Sequence, residues 1–291
     1  MQKKKLSSPT RRPVPVNRVA PDFTAVTDKI KPVQSLGLVL AALFYGRAGT
    51  GKTTVAATFP KPLLILDIRE KGTDSVSEVE GVDVIQVTDW AEFESIYWYL
   101  VSPQNKYKTV VIDAVSQLQD FAVESIVAEG GRSDGLVSKA QWGKAAGILK
   151  TWMINYRDLV DQNLNVVFLA HDRVHEGDES EDGEMMPSVG PRVMPSVASI
   201  LTAGVKLIGN TYIRENVQRL ASGKMKKSYN YCMRIGPHSY YETKVRLNKG
   251  GYVPETLVDP DYNSLISLMK GELTPTPAPK LEPRKILRKG K

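Results

Sequence analysis

One cysteine, Cys232, occurs in 291 residues. An intrachain disulfide is therefore excluded, and the usage fits a reducing compartment. Histidine is almost as scarce, at three. His171 and His175 stand at i, i+4, but without a third ligand nearby they argue against a zinc-type site. No apolar run approaches the roughly 18 residues that a membrane helix requires. The opening "MQKKKLSSPTRRPVPV" begins with charge, yet the apolar segment of a secretory signal does not follow it. These absences lead to the expectation of a soluble, cytoplasmic protein with no membrane partner. Apolar residues make up 42% of the chain, enough for a sizeable core.

Charge is present in excess of one sign, and its placement matters more than its net value of +7. Residues 1–31 carry eight Lys/Arg against two Asp, and residues 276–291 carry six against one Glu. The remainder is net acidic. Both ends also bear proline, the composition of flexible segments. Within the acidic remainder, "HEGDESEDGE" holds six carboxylates, whereas residues 206–249 hold ten Lys/Arg against two Glu. A polyanionic partner, nucleic acid above all, is compatible with that separation; so is a plain solvated surface. Tyr212, Tyr229, Tyr231, Tyr240 and Tyr241 lie in the basic region, where they could stack on bases or simply pack in strands.

Five short apolar runs read as buried strands: "GLVLAALFYG", "PLLILDI", "VDVIQV", "KTVVIDAV" and "NVVFLAH". Between them, "KTTVAATF", "WAEFESIYWYLV", "SQLQDFAVESIVAE" and "SKAQWGKAAGILKTWMINYRDLVDQ" space their apolar residues as helices do. Strands alternating with helices predict an α/β fold with a mostly parallel central sheet covered on both faces. From Ser196 onward the chain reads as β-rich, with turn signals at "ASGK" and "GPHS", and predicts a C-terminal β-meander extending the sheet. The segment "DRVHEGDESEDGEMMPSVGPRVMPS" reads as one long loop.

The stretch "GRAGTGKTT" follows the first strand directly. It fits the template G-x-x-x-x-G-K-[ST] in its required setting of strand, loop and helix, which marks a nucleoside triphosphate site. Gly46, Arg47, Ala48, Gly49, Thr50, Gly51, Lys52, Thr53 and Thr54 form the loop. Its glycines let backbone N–H groups approach phosphate oxygens, Lys52 is expected at the β/γ-phosphates, and the Thr53 hydroxyl is expected on Mg²⁺. Asp113, ending "VVID", is the second acidic element expected near that cation. Ala114 follows it, so a carboxylate that activates water has to come from elsewhere. In "ILDIREKG" Asp67 ends the second strand and Glu70 lies just beyond it, at the same edge of the sheet, and these are the candidates.

With these residues placed, "GRAGTGKTTVAATFPKPLLILDIREKG", "YKTVVIDAVSQL", the helix containing Trp142, "NVVFLAH" and the closing "ETKVRL" resemble one family over about residues 38–270. It is the phage-type RecA-like P-loop ATPases, the AAA domain family that includes the Sak single-strand annealing proteins. The resemblance implies a RecA-like core at 35–272, between a flexible basic arm at 1–34 and a basic tail at 273–291. It implies ATP and Mg²⁺ as ligands, with Glu70 as the base and Asp67 in reserve. His171 would sense the γ-phosphate, and Lys244 and Arg246, with Lys249 a third possibility, would reach the neighbouring subunit's nucleotide. The DNA-facing loops would carry Arg132 and Lys139, and Arg173 and Arg192. Phe23 resembles the hook by which recombinases of this fold join subunits, although Val26 stands where the hook has alanine. The implied function is ATP-dependent binding and annealing of single-stranded DNA by a homo-oligomer, filament or ring, alongside a single-strand binding protein. In the phage case the location would be the host cytoplasm. A replicative helicase or its loader, and a nucleotide-gated DNA-binding scaffold with little hydrolysis, remain the alternatives.

Overall fold

The computed structural model describes residues 39–129, 137–175, 187–219 and 224–274. The basic arm with Phe23, nearly all of the basic tail, Arg132 and most of the acidic stretch lie outside the described residues. Five strands run parallel: β1 (Ala41–Tyr45), β2 (Leu63–Asp67), β3 (Val82–Gln86), β4 (Thr109–Asp113) and β5 (Asn165–Ala170). They stand in the order β3-β2-β4-β5-β1. β1, β2, β4 and β5 are buried along their whole length, which is why they read as unbroken Val/Ile/Leu runs. β3 differs from the expectation of a buried strand. It forms the sheet's edge, and Val84 remains 41% exposed.

Helices cover both faces. On one pack α2 (Trp90–Val101), α3 (Val115–Glu129), α4 (Lys139–Asp158) and α5 (Pro195–Gly204), around Phe93, Phe121, Tyr156 and Phe168. Phe93 stacks on Tyr156 at 4.5 Å between ring centroids, and the Tyr156 hydroxyl donates to Phe93 O. On the other face lie the short helix α1 (Lys52–Ala56) and the C-terminal α6 (Tyr262–Lys270), around Phe44, Phe59 and Leu268. Among the described residues no helix is long and apolar enough to cross a membrane.

The predicted meander is present, with three departures. β8 (Leu207–Arg219) pairs parallel with β1 and antiparallel with β9 (Met225–Arg234), which carries β11 (Thr256–Val258) on its far side. The region from Ser196, expected to be β-rich, opens instead with α5. Pro195 sits at its start, and Val197 and Leu201 place buried side chains at helical spacing despite their β-favouring neighbours. "YYETKVRL" supplies only a two-residue strand, β10 (Lys244–Val245), against the start of β8. The long loop after β5 contains a ribbon of two strands, β6 (Asp172–His175) and β7 (Ser188–Pro191). The buried Tyr45 pins that ribbon to the body, its hydroxyl donating to Val189 O at 2.9 Å.

Candidate nucleotide site

Register places the chemistry at one edge. Tyr45 is level with Ala170, Leu169 with Asp113, and Asp113 with Asp67, so β1, β5, β4 and β2 all end together. The loop 46–51, His171, Asp113 and the turn after Asp67 therefore converge at the carboxyl ends of the strands, where parallel α/β sheets bind ligands. They enclose a cavity of about 410 Å³ whose walls include Lys52, Thr53, Glu70, Asp113, His171 and Tyr231.

The loop itself needs glycine for two distinct reasons. At Gly46 a Cβ would collide with the backbone oxygen of Thr211 on β8. At Gly51 the backbone has φ of +86°, a conformation that L side chains rarely adopt. Thr50 ties the loop to β8 through a hydroxyl pair with Thr211 at 2.7 Å. Lys52 is buried and donates to Gly46 O at 2.9 Å and Arg47 O at 2.8 Å. Burial pulls its ammonium below the usual lysine range, against the attraction of Asp113, Glu70 and Asp172. Its carbonyl partners are groups that phosphate oxygens can replace. Arg47, Ala48 and Gly49 face solvent at the rim, and so does Thr54.

Thr53 Oγ1 donates to Asp113 Oδ2 at 2.8 Å. Burial pushes the Asp113 carboxyl up to about 6, a shift the Thr53 hydrogen bond resists and the Glu70 charge reinforces. A buried carboxylate and a hydroxyl converging beside a phosphate loop are suited to a hard divalent cation. Among the described residues no cluster of three or more His, Cys, Asp or Glu could hold a metal alone. A cation here would thus depend on oxygens from the nucleotide and water, as magnesium bound to phosphates does.

The two acidic candidates after β2 have separate surroundings. Asp67 is buried, and both its oxygens are occupied: Oδ1 accepts from the N–H groups of Glu70 and Lys71 at 3.0 Å, and Oδ2 from Gln86 at 2.7 Å. It shapes the turn. Arg69, at φ +62°, points away from the cavity to a two-pronged pair with Glu124 on α3, its guanidinium 4.2 Å from the Phe121 ring centre. Glu70 lines the cavity, and His171 Nε2 donates to its Oε1 at 2.8 Å. That hydrogen bond, aided by one from Gln117, holds the Glu70 carboxyl below its usual range, so it is ionised at neutral pH. His171 is oriented in turn by its backbone N–H, which donates to Ser116 Oγ at 3.0 Å.

His171 leads directly into β6, and its carbonyl accepts from Arg192 N at 2.7 Å just past β7. Arg173 is exposed on this ribbon and Arg192 just past its end, and Lys139 is exposed at the start of α4. Lys244 and Arg246 are not at the cavity of their own chain. Lys244 Nζ donates to Thr202 O and Ala203 O, and Arg246 to Ala203 O, so both close the C-terminus of α5. Their expected shared face is present, but it serves a helix end. Lys249 lies beyond them in an exposed turn.

Sequence reasoning passed over Thr211, Ser116 and Gln117, which position the site from other elements, and no local pattern marks them. It left Tyr231 among several tyrosines, although the alternation of Tyr229 and Tyr231 put both on one strand face. In comparisons with known proteins, a family profile described as an AAA domain (AAA_24) matches residues 40–247. No curated protein matches the chain. The match spans the phosphate loop, Asp113, His171 and β8–β9, and so the chain belongs to the AAA domain family of P-loop ATPases.

Proposed function

We propose that the protein is a single-stranded DNA-binding and annealing ATPase of RecA-like type, which binds ATP with Mg²⁺ and works as a homo-oligomer. The observation that carries this reading is the Glu70–His171 contact at 2.8 Å. It couples the cavity to the ribbon bearing Arg173 and Arg192 through a single residue. In this reading Lys52 and the loop N–H groups bind the β- and γ-phosphates, and Thr53 and Asp113 hold the cation. Magnesium supplies charge neutralisation at the phosphate oxygens. Glu70, ionised and facing the cavity, orients the attacking water. His171 exchanges its bond to Glu70 for one to the γ-phosphate and moves the base of the ribbon. Arg173 and Arg192, with Lys139 from α4, contact the DNA backbone, and a single-strand binding protein delivers or receives the strand.

A nucleotide-gated scaffold with little hydrolysis is the second reading, and one observation favours it. Lys244 and Arg246 would have to release the α5 carbonyls before either could reach a neighbouring subunit's nucleotide. ATP turnover measured with and without single-stranded DNA separates the readings. Stimulation by DNA, abolished by Lys52→Ala and lost on neutralising Arg173 and Arg192 together, is the expected result. Tight ATP binding without DNA-stimulated turnover would leave the scaffold.

A further inference from the structure

Tyr231 has no role in phosphate or cation binding, yet it forms part of the same cavity wall as Lys52 and Thr53. We infer that its ring is the platform on which the base of the nucleotide stacks; this rests on reading the cavity as the nucleotide site. Three observations converge. The ring lies directly over the phosphate loop, since a Cβ built on Gly51 would stand 3.1 to 3.7 Å from its atoms Cδ1, Cγ and Cε1. Even so, Tyr231 remains 47% exposed. The residue beside it across the ladder, Ile213, and the residue two along, Tyr229, share its face and are exposed at 44% and 61%. A planar aromatic base leaving the phosphate loop on this side would meet a ring with apolar flanks.

The backbone at Tyr231 is also held in place. The Tyr231 N–H donates to Asp259 Oδ1 at 3.1 Å, and its carbonyl accepts from Asp259 N at 2.6 Å. Asp259 adopts φ of +46°, an unusual conformation for a residue other than glycine. The far side of β9 thus fixes the backbone from which the ring projects. Stacking would add a link through β9 to the one that Thr50 and Thr211 already make, so a base-bearing ligand would steady the hairpin more than the phosphates alone.

Calorimetric titration of ATP and of tripolyphosphate, each with Mg²⁺, tests the inference in four proteins: wild type, Tyr231→Ala, Tyr231→Phe and Lys52→Ala. Tyr231→Ala is expected to weaken ATP by about tenfold, in the range of one base stacked on one aromatic ring, and to leave tripolyphosphate unchanged. Tyr231→Phe should bind ATP like the wild type. Amide exchange in β9 should slow more with ATP than with tripolyphosphate. Unchanged ATP binding in Tyr231→Ala, equal loss for both ligands, or a phenylalanine variant as weak as alanine would overturn it. Lys52→Ala separates the two levels. If it too leaves ATP binding intact, the phosphate-site reading itself fails; if it abolishes binding while Tyr231→Ala is silent, only the stacking inference falls.

Discussion

Asp67 and Glu70 lie three residues apart on one turn, and their partners divide their roles. Asp67 spends both oxygens on two backbone N–H groups and Gln86, whereas Glu70 keeps its carboxylate at the cavity beside His171. Nothing in "ILDIREKG" alone distinguishes them, because the deciding partners are backbone groups, residues from β3 and α3, and His171 just past β5. The phosphate loop and Asp113 were legible for the opposite reason: their spacing and strand context are local. Asp113 also sets a pH dependence. Its carboxyl is raised to about 6 by burial, so it favours the folded state while protonated. That contribution is full below the ordinary carboxylate range and is lost as pH rises through about 6. Asp113→Asn, which never carries the charge, should therefore be the more stable protein at neutral pH without nucleotide. Linkage puts the gain on the order of 2–3 kcal/mol. Thermal melts across pH should show the gap closing as the medium is made acidic, and Mg²⁺-dependent nucleotide binding should be lost in the variant. A gap that does not change with pH would contradict the assignment of its cause.

At the scale of elements, burial explains what could be foreseen. β1, β2, β4 and β5 are buried on both faces and read as apolar runs, and α2 and α4 announce themselves by spacing; the caps Asp89 and Ser138 that start them went unread. α5 reads as strand because valine, isoleucine and threonine crowd it; packing of Val197 and Leu201 against the sheet overrides that preference. α6 carried a usable signal, Asp261 with Ser264 at its start and Gly271 past its end, that went unread. Lys244 and Arg246 belong at this scale as well. As cations on the last carbonyls of α5 they should stabilise it by about 0.3–1 kcal/mol each. Alanine at either position is expected to lower the melting temperature slightly and to leave ATP turnover unchanged. Loss of DNA-stimulated turnover with unaltered melting would instead assign them to a neighbouring subunit's nucleotide.

For the whole molecule, the placement of charge and of exposed apolar surface bears on assembly. The β8–β9 hairpin extends past β1 with Ile213, Val217, Met225, Tyr229 and Tyr231 on one exposed face beside the nucleotide cavity. Surface of that kind is where a nucleotide-dependent contact would form. Light scattering with a non-hydrolysable ATP analogue, Mg²⁺ and single-stranded DNA is expected to give multiples of 32.2 kDa. A mass of one chain under every condition would remove the homo-oligomer from the proposal. In the proposed mechanism the ionised Glu70, held by His171, orients the water that cleaves ATP. Comparing ATP binding and turnover in wild type and Glu70→Gln tests it most directly. The glutamine keeps the shape and an acceptor for His171 but removes the base, so ATP should bind as before while turnover falls by at least about 100-fold. Turnover at the wild-type rate in a variant that binds ATP normally would contradict the mechanism.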